Sequence, residues 1–182
     1  RSAAVLRSAG FASPVVSVGS TPTATFARSL EGVTEVRAGV FVFQDLVMAG
    51  LGVCAVDDIA LSVLVSVIGH QREKGWILTD GGWMAVSRDR GTARQATDRG
   101  YGLVLDADGG LLEGFVMSDA NQEHGIVSRG DGGPIDWAGF PVGARLRILP
   151  NHACATAAQH AAYHVINGSC EVLAQWDRFG GW

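Results

Sequence analysis

From Ile59 to the C-terminus the chain is written in short β-branched and aliphatic runs separated by turn residues. Residues 61–68, 75–78, 102–105, 115–118, 126–127, 145–148 and 163–166 predict strands, and 171–174 predicts another after the Asn167-Gly168 turn. Helical periodicity is weak across this region, and residues 91–98 read as irregular. The pattern predicts a mostly antiparallel β domain.

The first 45 residues follow a different grammar. Residues 1–9 have helical composition and stop at Gly10, a natural C-cap. Residues 14–18 read as a short buried strand running into Gly19-Ser20-Thr21-Pro22-Thr23, and 24–30 read as a helix. Residues 34–42 predict a further strand, interrupted at Arg37-Ala38-Gly39. Helix–strand–loop–helix–strand is the order of an α/β unit with parallel strands.

Composition narrows what such a chain does. With 47% hydrophobic and 18% charged residues, 182 residues suffice for one substantial core or two small ones. A net charge of -4 without a basic stripe excludes a nucleic-acid partner. No apolar run reaches the roughly 18–20 residues that a bilayer span needs, so no membrane partner is expected. Three widely spaced cysteines (54, 154 and 170) form no disulfide framework and point to a reducing, cytoplasmic setting. The chain opens Arg1-Ser2-Ala3 without an initiator Met or a secretory pattern, which predicts a piece of a longer protein.

The chemistry concentrates in Pro150-Asn151-His152-Ala153-Cys154-Ala155-Thr156. Read as extended, this segment puts the imidazole of His152 and the thiol of Cys154 on one face. An imidazole with a thiolate suits Zn2+. Two ligands leave a tetrahedral site open, which favours catalysis over a purely structural role. Gly19-Ser20-Thr21, between a strand and a helix, offers backbone N–H groups and two hydroxyls to a phosphate. Gly39 would let backbone approach an anion after the next strand. His160 and His164 have helical i, i+4 spacing and could bind a structural zinc with Cys154 or His152. Cys54 and Cys170 read as buried small hydrophobes.

These pieces stand in a specific order: Val16-Ser17-Val18-Gly19-Ser20-Thr21-Pro22-Thr23-Ala24, then Glu35-Val36-Arg37-Ala38-Gly39 with Phe43 and Asp45, then Asp80-Gly81-Gly82, Gln122-Glu123-His124-Gly125 and the His152-Ala153-Cys154 segment. Together they resemble the D-serine dehydratase / D-threonine aldolase family of pyridoxal-phosphate (PLP) enzymes, of the alanine-racemase-like fold type. The resemblance spans nearly the whole chain. It implies the last strands of a (β/α)8 PLP barrel over residues 1–48, followed by a C-terminal β domain over 49–182. Gly19, Ser20 and Thr21 would match the family's phosphate-binding turn, with Gly39 and Val40 adding backbone donors. His152 and Cys154 would match its metal pair, with zinc beside the β-hydroxyl of a D-β-hydroxy amino acid.

His-x-Cys is the form carried by the dehydratase-like branch, whereas D-threonine aldolases tend to carry His-x-Asp. The resemblance thus favours a PLP- and zinc-dependent D-serine dehydratase-like lyase, giving pyruvate and ammonia. A D-threonine or 3-hydroxyaspartate-type aldolase is the alternative within enzymes, and a noncatalytic β domain with structural zinc is the alternative outside them. Phe41 stands where the family often has Tyr, and the ending Phe179-Gly180-Gly181-Trp182 departs from the family's basic ending. Neither Tyr101 nor Tyr163 sits in the motif of alanine racemase's second base, which makes racemase the weaker relative.

Such an enzyme also needs a Schiff-base lysine. The chain's one lysine, Lys74, lies in the polar segment Gln71-Arg72-Glu73-Lys74-Gly75 and predicts an exposed turn. The family's lysine lies early in the barrel. The resemblance therefore implies an inactive fragment that needs a missing N-terminal barrel portion, and a homodimer when complete.

Overall fold

A computed structural model describes residues 1–180 and separates Arg1–Val42 from a second unit that begins at Phe43. Of the ending Phe179-Gly180-Gly181-Trp182, the last two residues lie outside those described.

The first unit runs α1 (Ser2–Ser8), β1 (Ser17–Gly19), α2 (Thr21–Phe26), β2 (Glu35–Arg37) and a 3-10 turn over Val40–Val42. The two strands pair in parallel, Ser17 with Glu35 and Gly19 with Arg37, as the α/β grammar predicts. Helix α2 starts earlier than the expected 24–30. The Ser20 hydroxyl accepts from Thr23 N at 3.2 Å, and Pro22 sits in the first turn, where its missing N–H costs nothing. The strand expected over 14–18 as buried is shorter and exposed. Pairing begins only at Ser17, and Thr21 is the one buried residue of the unit. Two strands and two short helices supply too few layers to enclose a core.

The second unit is built from α3 (Leu46–Gly50), β3 (Val63–Gln71), β4 (Trp76–Thr79), α4 (Trp83–Val86), β5 (Gly102–Asp106), β6 (Leu111–Ala120), β7 (Gly125–Arg129), β8 (Arg145–Pro150), α5 (Ala153–Ala157), β9 (Ala162–Val165) and β10 (Ala174–Asp177). Six strands close into a barrel in the order β3-β4-β7-β6-β5-β8, with every seam antiparallel. The antiparallel β domain expected from the sequence is present; its closure is what the pattern did not reveal. The chain is thus mixed α/β, with one closed barrel. Strands β9 and β10 form a separate hairpin, and β10 begins at Ala174, where the expected 171–174 strand ends. The register that sets Trp176 opposite Tyr163 leaves residues 166–173 as a connection longer than the Asn167-Gly168 turn suggested.

The barrel core follows from alternation. Val63, Val65 and Val67 of β3 point inward to meet Ile77, Val104, Met117, Val127, Leu146 and Ile148, while Leu64 and Ile68 are exposed. Burying each such side chain contributes on the order of 1.5–3 kcal/mol. Strand β8 breaks the alternation at Leu149. This residue packs outside the barrel with Leu46 of α3, Ile59 and Leu103, so both faces of β8 are covered near its end. That covered end leads directly into the His152 segment.

Lys74 occupies an exposed 3-10 turn (Arg72–Lys74) between β3 and β4, with its Nζ 4.5 Å from the Trp76 ring centroid. The cysteine expectation needs correction: Cys54 is half-buried and Cys170 is exposed. Cys170 lies in the 166–173 connection, where its thiol donates to Ala107 O at 3.1 Å instead of packing in a core. No helix among the described residues is long and apolar enough to cross a membrane.

Candidate metal centre

Asn151 anchors the segment that follows β8. It is fully buried, and its Oδ1 accepts from the Thr92 hydroxyl at 2.7 Å and from Thr92 N at 3.1 Å. Its Nδ2 donates to Gly100 O at 2.8 Å. Asp45 is a second buried anchor: one oxygen caps α3 by accepting from Met48 N, and the other accepts from Ala153 N at 3.0 Å. One carboxylate thereby serves the amino ends of both α3 and α5.

These anchors change the expected local conformation. His152 is extended (φ -136, ψ 102), but it is the N-cap of α5, and Cys154 is already in the first turn of that helix. The strand argument for a shared face does not carry over, because helix formation starts immediately after the cap. His152 is half-exposed and Cys154 exposed, so both remain open to a metal.

Asp89 is the site residue that sequence reasoning missed. Its Oδ2 accepts a hydrogen bond from Nδ1 of His152 at 2.5 Å, across 63 residues of chain. Arg88-Asp89-Arg90 carries no motif, and only the folded contact brings Asp89 out. The turn that delivers it passes through Ser87, a buried non-glycine residue at φ 75 and ψ 163. Such backbone costs on the order of 1–3 kcal/mol and persists only where surrounding contacts fix it.

Two polar motifs of the family resemblance place α4. Trp83 N donates to Asn121 O at 2.9 Å, and Met84 N to Gln122 O at 3.0 Å. A side chain at Gly82 would run into those same carbonyl oxygens. Asp80-Gly81-Gly82 and Gln122-Glu123-His124-Gly125 thus dock the start of α4 on the β6–β7 turn, and His124 itself is exposed. The alternative pair is not realised as one helical face: His160 follows α5, whereas His164 lies in β9. His160 Nε2 instead donates to Ala85 O at 2.9 Å.

The donor set fits an open metal site. An Nδ1–H bonded to a carboxylate would leave Nε2 of His152 free to coordinate, and the Cys154 thiol would offer a soft ligand. Among the described residues no group of three or more His, Cys, Asp or Glu is placed to hold a metal ion, so further ligands would come from solvent, substrate or other protein groups.

In the first unit, the phosphate candidates stand at the carboxyl ends of adjacent parallel strands. Gly19 closes β1 and Gly39 follows β2. A Cβ at Gly19 would lie 3.2 Å from Arg37 O, so strand packing already accounts for that glycine, whereas a Cβ at Gly39 would meet nothing within 4 Å. The Ser20 hydroxyl donates to Thr23 Oγ1 at 2.7 Å, and Thr21 Oγ1 accepts from Phe41 N at 3.1 Å. The Ser20 proton is thus engaged, whereas the Thr21 hydroxyl accepts and keeps its own proton to donate; that O–H and backbone amides, including those of Gly39 and Val40, are the groups that would fit an anion.

The family model described as putative serine dehydratase domain matches residues 60–166. D-threo-3-hydroxyaspartate dehydratase from Delftia sp. (strain HT23) is 60% identical over all of this chain and 48% of its own length. D-serine dehydratase from Dictyostelium discoideum is 31% identical over 92% of this chain and 43% of its own length. The solved Delftia sp. HT23 enzyme superposes with a TM-score of 0.88, covering 99% of this chain and 48% of that one. Structures of D-threo-3-hydroxyaspartate dehydratase with a His→Ala or a Cys→Ala substitution also superpose, the latter in the metal-free form. The chain spans about half the length of the curated relatives it matches.

Proposed function

The chain belongs to the D-serine dehydratase / D-threo-3-hydroxyaspartate dehydratase family, of alanine-racemase-like fold, and from that premise we propose that it is the metal-bearing C-terminal portion of a lyase that dehydrates D-β-hydroxy amino acids. In this reading the unit Arg1–Val42 ends a PLP barrel, and the unit that begins at Phe43 forms the β domain that carries the metal pair. D-threo-3-hydroxyaspartate is the preferred substrate and D-serine the lesser one, because 60% identity to the Delftia dehydratase runs along the whole chain, against 31% to the Dictyostelium D-serine enzyme.

The observation that carries the reading is the His152-Ala153-Cys154 arrangement, with the ring held through Nδ1 and an exposed thiol two residues on. In D-threo-3-hydroxyaspartate dehydratase the His and Cys replaced by alanine also stand two residues apart, and the Cys variant was solved in the metal-free form. When bound, PLP supplies an electron sink and zinc a Lewis acid for the departing β-hydroxyl. Nε2 of His152 and Sγ of Cys154 hold that zinc. Backbone amides at Gly19, Ser20, Thr21, Gly39 and Val40 hold the cofactor phosphate. Lys74, in its exposed turn, is not the Schiff-base residue, so this polypeptide alone is inactive and needs the N-terminal barrel portion. The complete protein works as a cytoplasmic homodimer.

The complete protein, incubated with D-threo-3-hydroxyaspartate, is expected to release oxaloacetate and ammonia, and pyruvate more slowly from D-serine; EDTA abolishes both. Glycine with glyoxylate from the same substrate would establish the aldolase instead. Activity that survives His152→Ala and Cys154→Ala would refute the metal assignment.

A further inference from the structure

We infer that Asp89 is a positioning residue for the metal pair: its carboxylate fixes the tautomer and orientation of the His152 ring so that Nε2 is the nitrogen offered to zinc. This rests on the reading of His152 and Cys154 as metal ligands and adds a residue to it. The contact is Nδ1 of His152 against Oδ2 of Asp89, with side chains 45% and 51% exposed. A carboxylate accepts, so Nδ1 carries a proton, and in the neutral ring that a metal needs the lone pair is then on Nε2, at the far side of the imidazole.

The surrounding chain is built to hold this contact. The Thr156 hydroxyl donates to Val86 O at 2.8 Å, and His160 Nε2 donates to Ala85 O, tying α5 to the end of α4. Ser87 then turns the chain at positive φ, and its hydroxyl accepts from Asp89 N at 3.1 Å. On the other side of Asp89, Thr92 is bonded to Asn151, the neighbour of His152. Asp89 is thus bracketed by anchors at 86–87 and at 92, each leading back to the segment that carries the ring. The flanking arginines are occupied elsewhere: Arg88 lies 5.1 Å over the Trp83 ring, and Arg90 pairs with Asp98 at 2.8 Å. The Asp89 carboxylate is left to the imidazole, an exposed contact that the barrel core does not need.

The test uses the complete protein, with Zn2+ affinity measured by competition against a chromophoric chelator. Asp89→Ala should weaken zinc binding by about 10–100-fold, the usual cost of removing a carboxylate behind a ligating histidine. Asp89→Asn, whose amide oxygen can accept the same bond without the charge, should fall between that variant and the parent. The unfolding midpoint of the metal-free protein should not move in either, and the visible bands of the Co2+-substituted protein should shift in Asp89→Ala. Parental zinc affinity in Asp89→Ala, with zinc lost in His152→Ala, would overturn the role of Asp89 alone. Zinc retained in His152→Ala would overturn the ligand reading and this inference with it. A metal-free midpoint lowered in both Asp89 variants would make the contact structural and also overturn it.

Discussion

The two units use the same short elements to opposite effect. In the first, one parallel seam of three residue pairs joins β1 to β2, and a single residue is buried. In the second, six antiparallel seams close on themselves around a cluster in which Ile77, Val104, Met117, Val127 and Ile148 are wholly excluded from water. A closed barrel has no open edge, whereas a two-stranded sheet has two. The second unit therefore fixes its candidate site by its own contacts, through Asn151, Asp45 and Thr156. The first unit holds its glycines with one short seam and a few mostly exposed side-chain bonds, among them Phe41 N to the Thr21 hydroxyl and Val16 N to the Thr34 hydroxyl.

Removing volume from each unit should separate them most strongly. Ile77→Ala or Ile148→Ala should cost about 2–5 kcal/mol in denaturant unfolding, the range for large-to-small changes in a packed core. Val36→Ala in exposed β2 should stay within about 0.5 kcal/mol, as surface changes do. Similar losses at both places would mean that the units are not so different. Next in size is Asn151→Ala, which strands the Thr92 amide and Gly100 O and takes from the Thr92 hydroxyl its shorter acceptor, leaving Asp98 Oδ1 at 3.5 Å. At about 1–3 kcal/mol per buried group left unpaired, a loss of about 3 kcal/mol is expected, together with weaker zinc binding at the adjacent His152.

Asp45→Ala comes third. It removes the cap of α3 and the acceptor for Ala153 N, and about 2 kcal/mol is expected by calorimetry, most of it from the two helix ends. Thiol chemistry gives a smaller contrast. Burial pushes the Cys54 thiol up from its ordinary value, with Asp58 and Asp45 adding to the effect. A raised value means less thiolate at a given pH, so Cys54 should be alkylated more slowly than the exposed Cys154 and Cys170. Its own rate should keep climbing above about pH 8.5, the usual thiol midpoint. Mass spectrometry of a partial alkylation time course reads this directly. The smallest effect is at Asp131, held below the usual carboxylate range by the Arg129 guanidinium and the Gly133 amide. A depressed carboxylate contributes fully above its unfolded value of about 3.9 and loses its contribution as pH falls through the folded one. Because the pair is exposed, Asp131→Asn should leave the neutral-pH midpoint essentially unchanged.

Much of the barrel was legible in the sequence because alternation writes one strand at a time: Val63, Val65 and Val67 announce an inward face without reference to any partner. Closure was not legible, since it depends on β3 meeting β8 across the whole unit. The helices α4 and α5, of four and five residues, were too short to show a period, and that is why Cys154 was expected in an extended segment. For the site, His152 and Cys154 were visible as chemistry-bearing types close in sequence, and Gly19, Ser20 and Thr21 as a turn. Asp89 was invisible because its partner lies 63 residues away. Asp80-Gly81-Gly82 and Gln122-Glu123-His124-Gly125 were visible, but their work of docking α4 could be read only from the hydrogen bonds they receive.

His152 and Cys154 are proposed as the metal ligands of a D-β-hydroxy amino acid dehydratase. The most direct measurement is anomalous diffraction at the zinc edge from crystals of the complete protein. A single peak is expected within coordination distance of His152 Nε2 and Cys154 Sγ, absent in Cys154→Ala. A peak at His160 and His164, or one that survives Cys154→Ala at full height, would contradict it.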